Sequence, residues 1–305
     1  MLRKAIICAL MMMFMITSLV SAQSFQEMTV LEKTAAAEKI VYGSEQTGSL
    51  IERTGKIEKD IFGEETKAAL TEKLDRIYTY LTDNSAAEPS FQAKLAAVEW
   101  TISHNVTAQP AKAKIENMEI VLLGNSATGN FDSRIAKLTH IAYPNGRINV
   151  SNTTLYKDTL VKIKMVTELD SRKNRLGDVV VFQAVEDVYS SGLLVIPRGM
   201  TGTGKIAKVQ QSRNFGRDAV LEVSFDNIGA FDGSMIQTEL GDKAKEETKS
   251  LAKAAGASVA GMALLGPIGV VGGAFVRGSD ITVPAGTEMF IQVKADTNLY
   301  GLQVQ

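Results

Sequence analysis

Two rhythms of hydrophobic spacing divide the chain. From about residue 25 to 140, apolar positions recur every three or four residues among Ala, Glu, Lys and Leu, which predicts helices. The pattern repeats itself. Glu38-Lys39-Ile40-Val41-Tyr42-Gly43 returns twenty residues on as Glu58-Lys59-Asp60-Ile61-Phe62-Gly63, and a fainter copy reads Glu119-Ile120-Val121-Leu122-Leu123-Gly124. Each copy predicts a helix closed by a glycine in the left-handed position. Helices this short do not bury an apolar stripe alone, so they must stack on one another, on a partner or on the rest of the chain. A plain bundle with chance similarity is the alternative.

The helical spacing stops between about residues 140 and 155, where Tyr143-Pro144-Asn145-Gly146 and Ser151-Asn152 predict turns. Beyond it the texture is that of strands: Thr159 to Thr167, Asp178 to Val188, Leu193 to Ile196, Lys205 to Val209, Ala219 to Phe225 and Ser234 to Leu240. Short strands at this spacing argue for a sandwich or small barrel rather than βαβ units. Val195-Ile196-Pro197-Arg198-Gly199 and Thr282-Val283-Pro284-Ala285-Gly286-Thr287 share a signature. Pro197 and Gly199, like Pro284 and Gly286, supply the corners of structural turns.

The first residues change the picture by giving a destination. Arg3 and Lys4 precede an apolar stretch from Ala5 to Val20, closed by Val20-Ser21-Ala22, the order that a signal peptidase requires. The expectation is a signal peptide over 1–22, cleaved after Ala22, and export to the periplasm or the outer membrane. Cys8, the only cysteine, would leave with it, so the mature protein would have neither disulfide nor thiol chemistry. The net charge of -1 becomes two units more negative once Arg3 and Lys4 are gone, which points away from nucleic acid as a partner.

Candidate chemistry is sparse. Gly199-Met200-Thr201-Gly202-Thr203-Gly204-Lys205 nearly spells a phosphate-binding loop, but Ile206 stands where Ser or Thr would hold magnesium and a strand follows instead of a helix. A Gly-rich hairpin is the expectation, with no nucleotide. His104 and His140, the only histidines, have no cysteine to join them at a metal and are expected at the surface or in packing. Asp170, Asp178, Glu186, Asp187, Asp226 and Asp232 are expected as solvated turn or strand residues, not as an acid and base pair. The expectation is therefore no catalytic residue, no metal and no cofactor.

The segment 242–277 is the most informative. It opens polar at Asp242-Lys243-Ala244-Lys245-Glu246-Glu247 and then runs without charge from Ala254 to Val276, through Gly256, Gly261, Leu264, Leu265, Gly266, Pro267, Gly269, Gly272 and Gly273. Small residues at these spacings let helices approach closely, and Gly266-Pro267 interrupts a single helix. One reading is a helical hairpin that enters a bilayer or packs against sister subunits. The other is a buried or disordered Gly/Ala loop capping the β region.

The β half carries a resemblance. The order Gly177-Asp178, Glu186-Asp187-Val188, Val195-Ile196-Pro197-Arg198-Gly199, Gly202-Thr203-Gly204-Lys205, Leu221-Glu222-Val223, Asp232-Gly233, the apolar insertion and Val283-Pro284-Ala285-Gly286-Thr287 resembles the C-terminal domain of the TrbI-type channel scaffold of conjugation and type IV secretion. The resemblance covers roughly residues 156 to 300 and implies a β-barrel with a helical insertion that crosses the outer membrane in a ring of subunits. The chain departs from that family in its cleavable signal and in lacking an inner-membrane helix followed by a proline-rich arm. The helical half is similar to uncharacterised envelope proteins of diderm bacteria. The expected fold is α+β: a helical repeat region over 23–145, then an all-β barrel or sandwich over 156–305 with a Gly-rich helical hairpin inserted. The expected function is a non-enzymatic envelope component that associates with the outer membrane or forms a homo-oligomer, its helical repeats binding an envelope protein or the cell wall. The alternative is a soluble periplasmic binding module or enzyme with a ligand pocket near the Pro-Gly turns.

Overall fold

The computed structural model describes residues 28–211, 219–254 and 280–304. The chain is α+β, with helices first and a β-barrel after them. The helices are α1 (Val30–Tyr42), α2 (Leu50–Phe62), α3 (Leu70–Thr82), α4 (Phe91–Ser103), α5 (Ala111–Leu123) and α6 (Phe131–Ala142). Their starts fall twenty residues apart, except between Leu70 and Phe91, where one extra residue enters. The array is thus longer than the copies visible in the sequence.

The starts of α1, α2, α4 and α6 are capped by the side chains of Thr29, Ser49, Ser90 and Asn130. Thr29 and Ser49 accept the backbone N–H of Glu32 and Glu52, whose carboxylates return the bond, a capping box that satisfies orphan N–H groups. Gly43, Gly63 and Gly124 close α1, α2 and α5 with φ of 88°, 89° and 82°, a conformation that costs glycine nothing.

A buried carboxylate joins one helix to the next. Glu38 accepts the Gln46 N–H at 3.0 Å and the Arg53 Nε–H at 2.8 Å; Glu58 accepts the Thr66 N–H at 3.0 Å and lies 3.4 Å from Lys73. Glu99 does the same with Thr107 and Lys114, and Glu119 with Ala127 and Arg134. In all four, the acceptor reaches a loop N–H eight residues on and a cation fifteen residues on. Near the other end of the helices, the Tyr42 hydroxyl of α1 donates to Asp60 of α2 at 2.7 Å, the rings of Phe62 in α2 and Tyr80 in α3 lie 5.0 Å apart, and Thr101 of α4 donates to the Tyr143 hydroxyl at the end of α6 at 2.8 Å. C-terminal ends thus meet C-terminal ends, and the helices within each of these groups run parallel. The motif is absent from α3 and α6, where Tyr78 and Thr139 take the ninth position. The array therefore consists of two three-helix units, α1–α3 and α4–α6, in which Glu38 and Glu58 recur as Glu99 and Glu119, 61 residues on.

The strands are β1 (Val150–Leu155), β2 (Leu160–Met165), β3 (Leu169–Asp170), β4 (Val179–Ala184), β5 (Val188–Ser190), β6 (Leu193–Ile196), β7 (Thr201–Gln210), β8 (Val220–Gly229) and β9 (Met235–Glu239). After α7 (Asp242–Ala254) come β10 (Thr282–Val283), β11 (Glu288–Val293) and β12 (Thr297–Gln303). Among the described residues, β11-β2-β4-β7-β8-β9 close a barrel, β1-β12-β6-β5 form a second sheet, and β10 pairs with β3. Alternate residues of β2 and β8 point inward, and Phe182 and Phe225 meet edge to face, 5.2 Å between ring centroids, in the interior.

One expectation is corrected and another sharpened. Ser151-Asn152 is not a turn: both residues lie in β1, opposite Gly301 and Tyr300 of β12, and they read as polar because that stretch of the strand faces solvent. The phosphate-loop lookalike lies in a hairpin, β7 with β8, but Gly202 and Gly204 are not at its bend. Gly202 and Gly204 lie inside β7, where a Cβ would stand 2.2 Å from the Phe182 ring and 1.8 Å from the Ser224 carbonyl oxygen, so close strand contact, not a turn, requires them.

The halves share a core. The helical cluster around Ile57, Ile77, Phe91, Val98 and Leu138 continues into Ile148, Val150, Leu194, Phe231 and Leu302 of the β half.

Candidate functional site

Both Pro-Gly motifs form tight turns, and one of them is a joint. The Met200 N–H returns to the Pro197 carbonyl at 3.2 Å while Gly199 takes φ 92°. The Arg198 carbonyl accepts the Val106 N–H at 2.8 Å from the loop after α4, and a Cβ on Gly199 would stand 2.2 Å from the Val106 oxygen. Asp187 supports the turn by accepting the Arg198 N–H at 2.6 Å and the Trp100 Nε1–H at 3.1 Å. The other motif joins β10 to β11: the Gly286 N–H donates to the Met165 carbonyl at 2.7 Å and Gly286 takes φ 85°.

The remaining acidic candidates are occupied with their own neighbourhoods. Asp170 is buried and accepts two bonds from the Arg172 guanidinium, which hold its carboxyl far below the usual range. Asp178 accepts the Arg175 N–H at 2.8 Å, chiefly responsible for its lowered pKa. Glu186 lies 3.2 Å from Lys162, and Asp226 is exposed. Asp232 is buried, not solvated; it accepts from the Ser234 hydroxyl at 2.6 Å and from the Tyr300 N–H at 2.9 Å, while its carbonyl accepts from Asn84 at 2.8 Å. His104 ends α4 in the left-handed region at φ 48° and packs edge to face on Trp100; His140 is exposed. Among the described residues, no group of three or more His, Cys, Asp or Glu is placed to hold a metal ion.

Beside the Pro197 turn, α1, α4, the loop 106–110 and the barrel rim enclose a cleft of about 420 Å³. Its walls are apolar at Ile40, Leu95, Met200, Phe231 and Met235 and polar at Lys39, Gln92, Thr107, Gln109, Lys114 and Thr201.

The second feature lies in the barrel wall. Among the described residues, β9 pairs with β11 through Glu239–Gln292 and Thr238–Val293, and the rest of that edge of β11 has no strand partner. Helix α7 lies across the opening. The buried Thr248 hydroxyl accepts the Phe290 N–H at 2.9 Å and donates to the Ala244 carbonyl at 2.8 Å, while the Ala244 N–H donates to the Gln292 side-chain oxygen at 3.1 Å. Side chains thus stand in for a missing ladder, as unpaired buried N–H groups require. Nothing in the sequence distinguished Thr248 from the other polar residues of this helix. Thr248→Val is expected to leave the Phe290 N–H unsatisfied and to lower unfolding free energy by about 1–3 kcal/mol, measured by urea denaturation. An unchanged midpoint would remove Thr248 from this role.

Helix α7 leads the chain from the barrel wall to the charge-free run. The proposed contact residues Gly256, Gly261, Leu264, Leu265, Gly266, Pro267, Gly269, Gly272 and Gly273 lie outside the described residues. Among the described residues no helix is long and apolar enough to cross a membrane.

No protein-family model matches the chain, and no curated protein matches it. Among solved structures, ComB10 of the Com type IV secretion system of Helicobacter pylori aligns with 47% of this chain and 88% of its own, at 15% identity and a TM-score of 0.27.

Proposed function

We propose that the chain is a non-enzymatic component of the cell envelope, exported by residues 1–22, whose barrel carries the helical array and attaches through the segment 254–276 to the outer membrane or to sister subunits. The observation that carries this reading is the placement of α7. A helix hydrogen-bonded into the barrel wall leads directly to an apolar run with no charge from Ala254 to Val276. A run of that length and composition suits lipid or close subunit contact better than a solvated loop. The turns at Pro197 and Pro284, the acidic residues around them and the buried carboxylates of the helices then serve to hold the scaffold rigid.

A second reading has its own support. The cleft beside the Pro197 turn combines apolar walls at Ile40, Leu95 and Phe231 with polar groups at Lys39, Gln92, Lys114 and Thr201, a mixture that small ligands use. One experiment separates the two. Carbonate extraction of membranes should retain the intact protein and release a variant lacking residues 254–276. Release of the intact protein as a soluble monomer would overturn the attachment and favour the ligand cleft.

A further inference from the structure

The two helical units meet end to end. Gly43 closes α1 against Pro110, where a Cβ would stand 3.2 Å from the proline ring, and Gly63 closes α2 against the Asn130 side chain. The Tyr80 hydroxyl of α3 donates to Asp132 at 2.7 Å, and its ring lies 5.4 Å from that of Phe91. The C-terminal end of the first unit therefore abuts the N-terminal end of the second. Among the described residues two ends face outward: the N-terminal end of α1–α3 and the C-terminal end of α5 and α6, where a Cβ on Gly124 would meet open space.

The exposed aliphatics of the described array collect at those ends. Leu31 and Ile51, 54% and 68% exposed, lie in the first turns of α1 and α2; Ile120, Val121 and Ile141, 52%, 68% and 45% exposed, lie in the last turns of α5 and α6. The equivalent positions around the internal junction are polar or amphipathic. Sixty-one residues before Ile120, Val121 and Ile141 stand Lys59, Asp60 and Tyr80; sixty-one after Leu31 and Ile51 stand Gln92 and Lys112. A repeat array that ends in solvent needs polar outer faces, and this one has the reverse. Because the helices of each unit run parallel, their dipoles add. One outward end gathers positive N-termini and the other negative C-termini, which attract each other and not themselves.

We propose that the helical arrays of separate copies of this chain stack head to tail, the C-terminal end of α5 and α6 of one against the N-terminal end of α1–α3 of the next, in the register of the junction already built within the chain. This inference is independent of the envelope reading and uses a surface other than the Gly-rich segment. The contact is heterologous, so it propagates into a ring or a filament. By the internal register, the Tyr80–Phe91 contact projects onto Ile141 of one copy and Val30 of the next, with Leu31 beside it.

The test uses the full chain with Cys8→Ser and two single variants, Leu31→Cys and Ile141→Cys, with folding checked by circular dichroism. Under oxidation a disulfide-linked dimer is expected when the two are mixed and not in either alone. In sedimentation, Ile141→Glu should lower the assembled mass of the otherwise native chain. Absence of the mixed disulfide overturns the proposal, whether the purified chain is then a monomer, its ends being covered by another protein, or associates through another surface. Equal cross-linking within each variant alone overturns it too, because it reports a symmetric contact.

Discussion

Arg134→Ala is expected to lower the unfolding free energy by about 3–5 kcal/mol, the range typical of stranding one partner of a buried pair. Arg134 meets Glu119 through two parallel bonds of 2.9 and 2.7 Å, with side chains only 8% and 2% exposed. Removing the guanidinium leaves a carboxylate in the core with only the Ala127 N–H at 2.8 Å. The double variant Glu119→Leu with Arg134→Met should recover most of the loss, since a buried pair adds little over well-packed apolar residues of similar volume. A loss below about 1 kcal/mol for Arg134→Ala, the range of an exposed pair, would show that this pair is not desolvated.

The same pair sets a pH dependence. Burial acts to raise the Glu119 pKa, but Arg134 and the Ala127 N–H outweigh it and hold the carboxyl below its ordinary 4.5; Glu38 and Glu58 are lowered in the same balance. A carboxyl lowered on folding contributes stability that is complete above its unfolded pKa and is lost as pH falls through its folded one. The native helices should therefore hold at pH 5 and weaken below about 4. In Arg134→Ala the loss should begin at higher pH, because burial then acts without its counterweight. Helical circular dichroism against pH reads both.

Phe231→Ala should cost about 3–5 kcal/mol, as for other fully buried phenylalanines, and should also change how the protein unfolds. Phe231 is fully buried, belongs to the helical core although it follows β8, and donates its N–H to the Val195 carbonyl in β6. With it, helical circular dichroism and the fluorescence of Trp100, whose indole N–H donates to Asp187 across the joint, should report one transition. Without it, the two signals should separate. Coincident transitions in Phe231→Ala would mean that the remaining contacts, through Leu194, Leu302 and Val106, suffice to couple the halves.

The helical copies legible in the sequence are those whose helix ends on glycine: Gly43, Gly63 and Gly124. The ends at Asp83, His104 and Tyr143 carried no such mark, because Asp83 and Tyr143 leave in extended backbone and His104 adopts the left-handed conformation without being glycine. The extra residue before Phe91 also broke the spacing. The barrel strands were legible from alternation, as in β2 and β8, whereas β1 was hidden by its solvent-facing Ser151-Asn152. The buried role of Glu38 and its equivalents was not legible, since a glutamate among lysines looks like a solvated face until a cation fifteen residues on turns inward. The joint at Pro197 was visible as a turn but not as a contact, because its partners Val106 and Trp100 come from the other half of the chain.

The carboxylate relay also fixes where the array can be shortened. A chain cut after α2 would leave Glu58 buried with neither Lys73 nor Arg76 to meet it, and one cut after α5 would strand Glu119 in the same way. After α3 no such debt is outstanding, because Tyr78 replaces the carboxylate, and Thr139 does so in α6. The smallest piece that can be gained or lost without orphaning a charge is thus the triplet of helices rather than the twenty-residue motif.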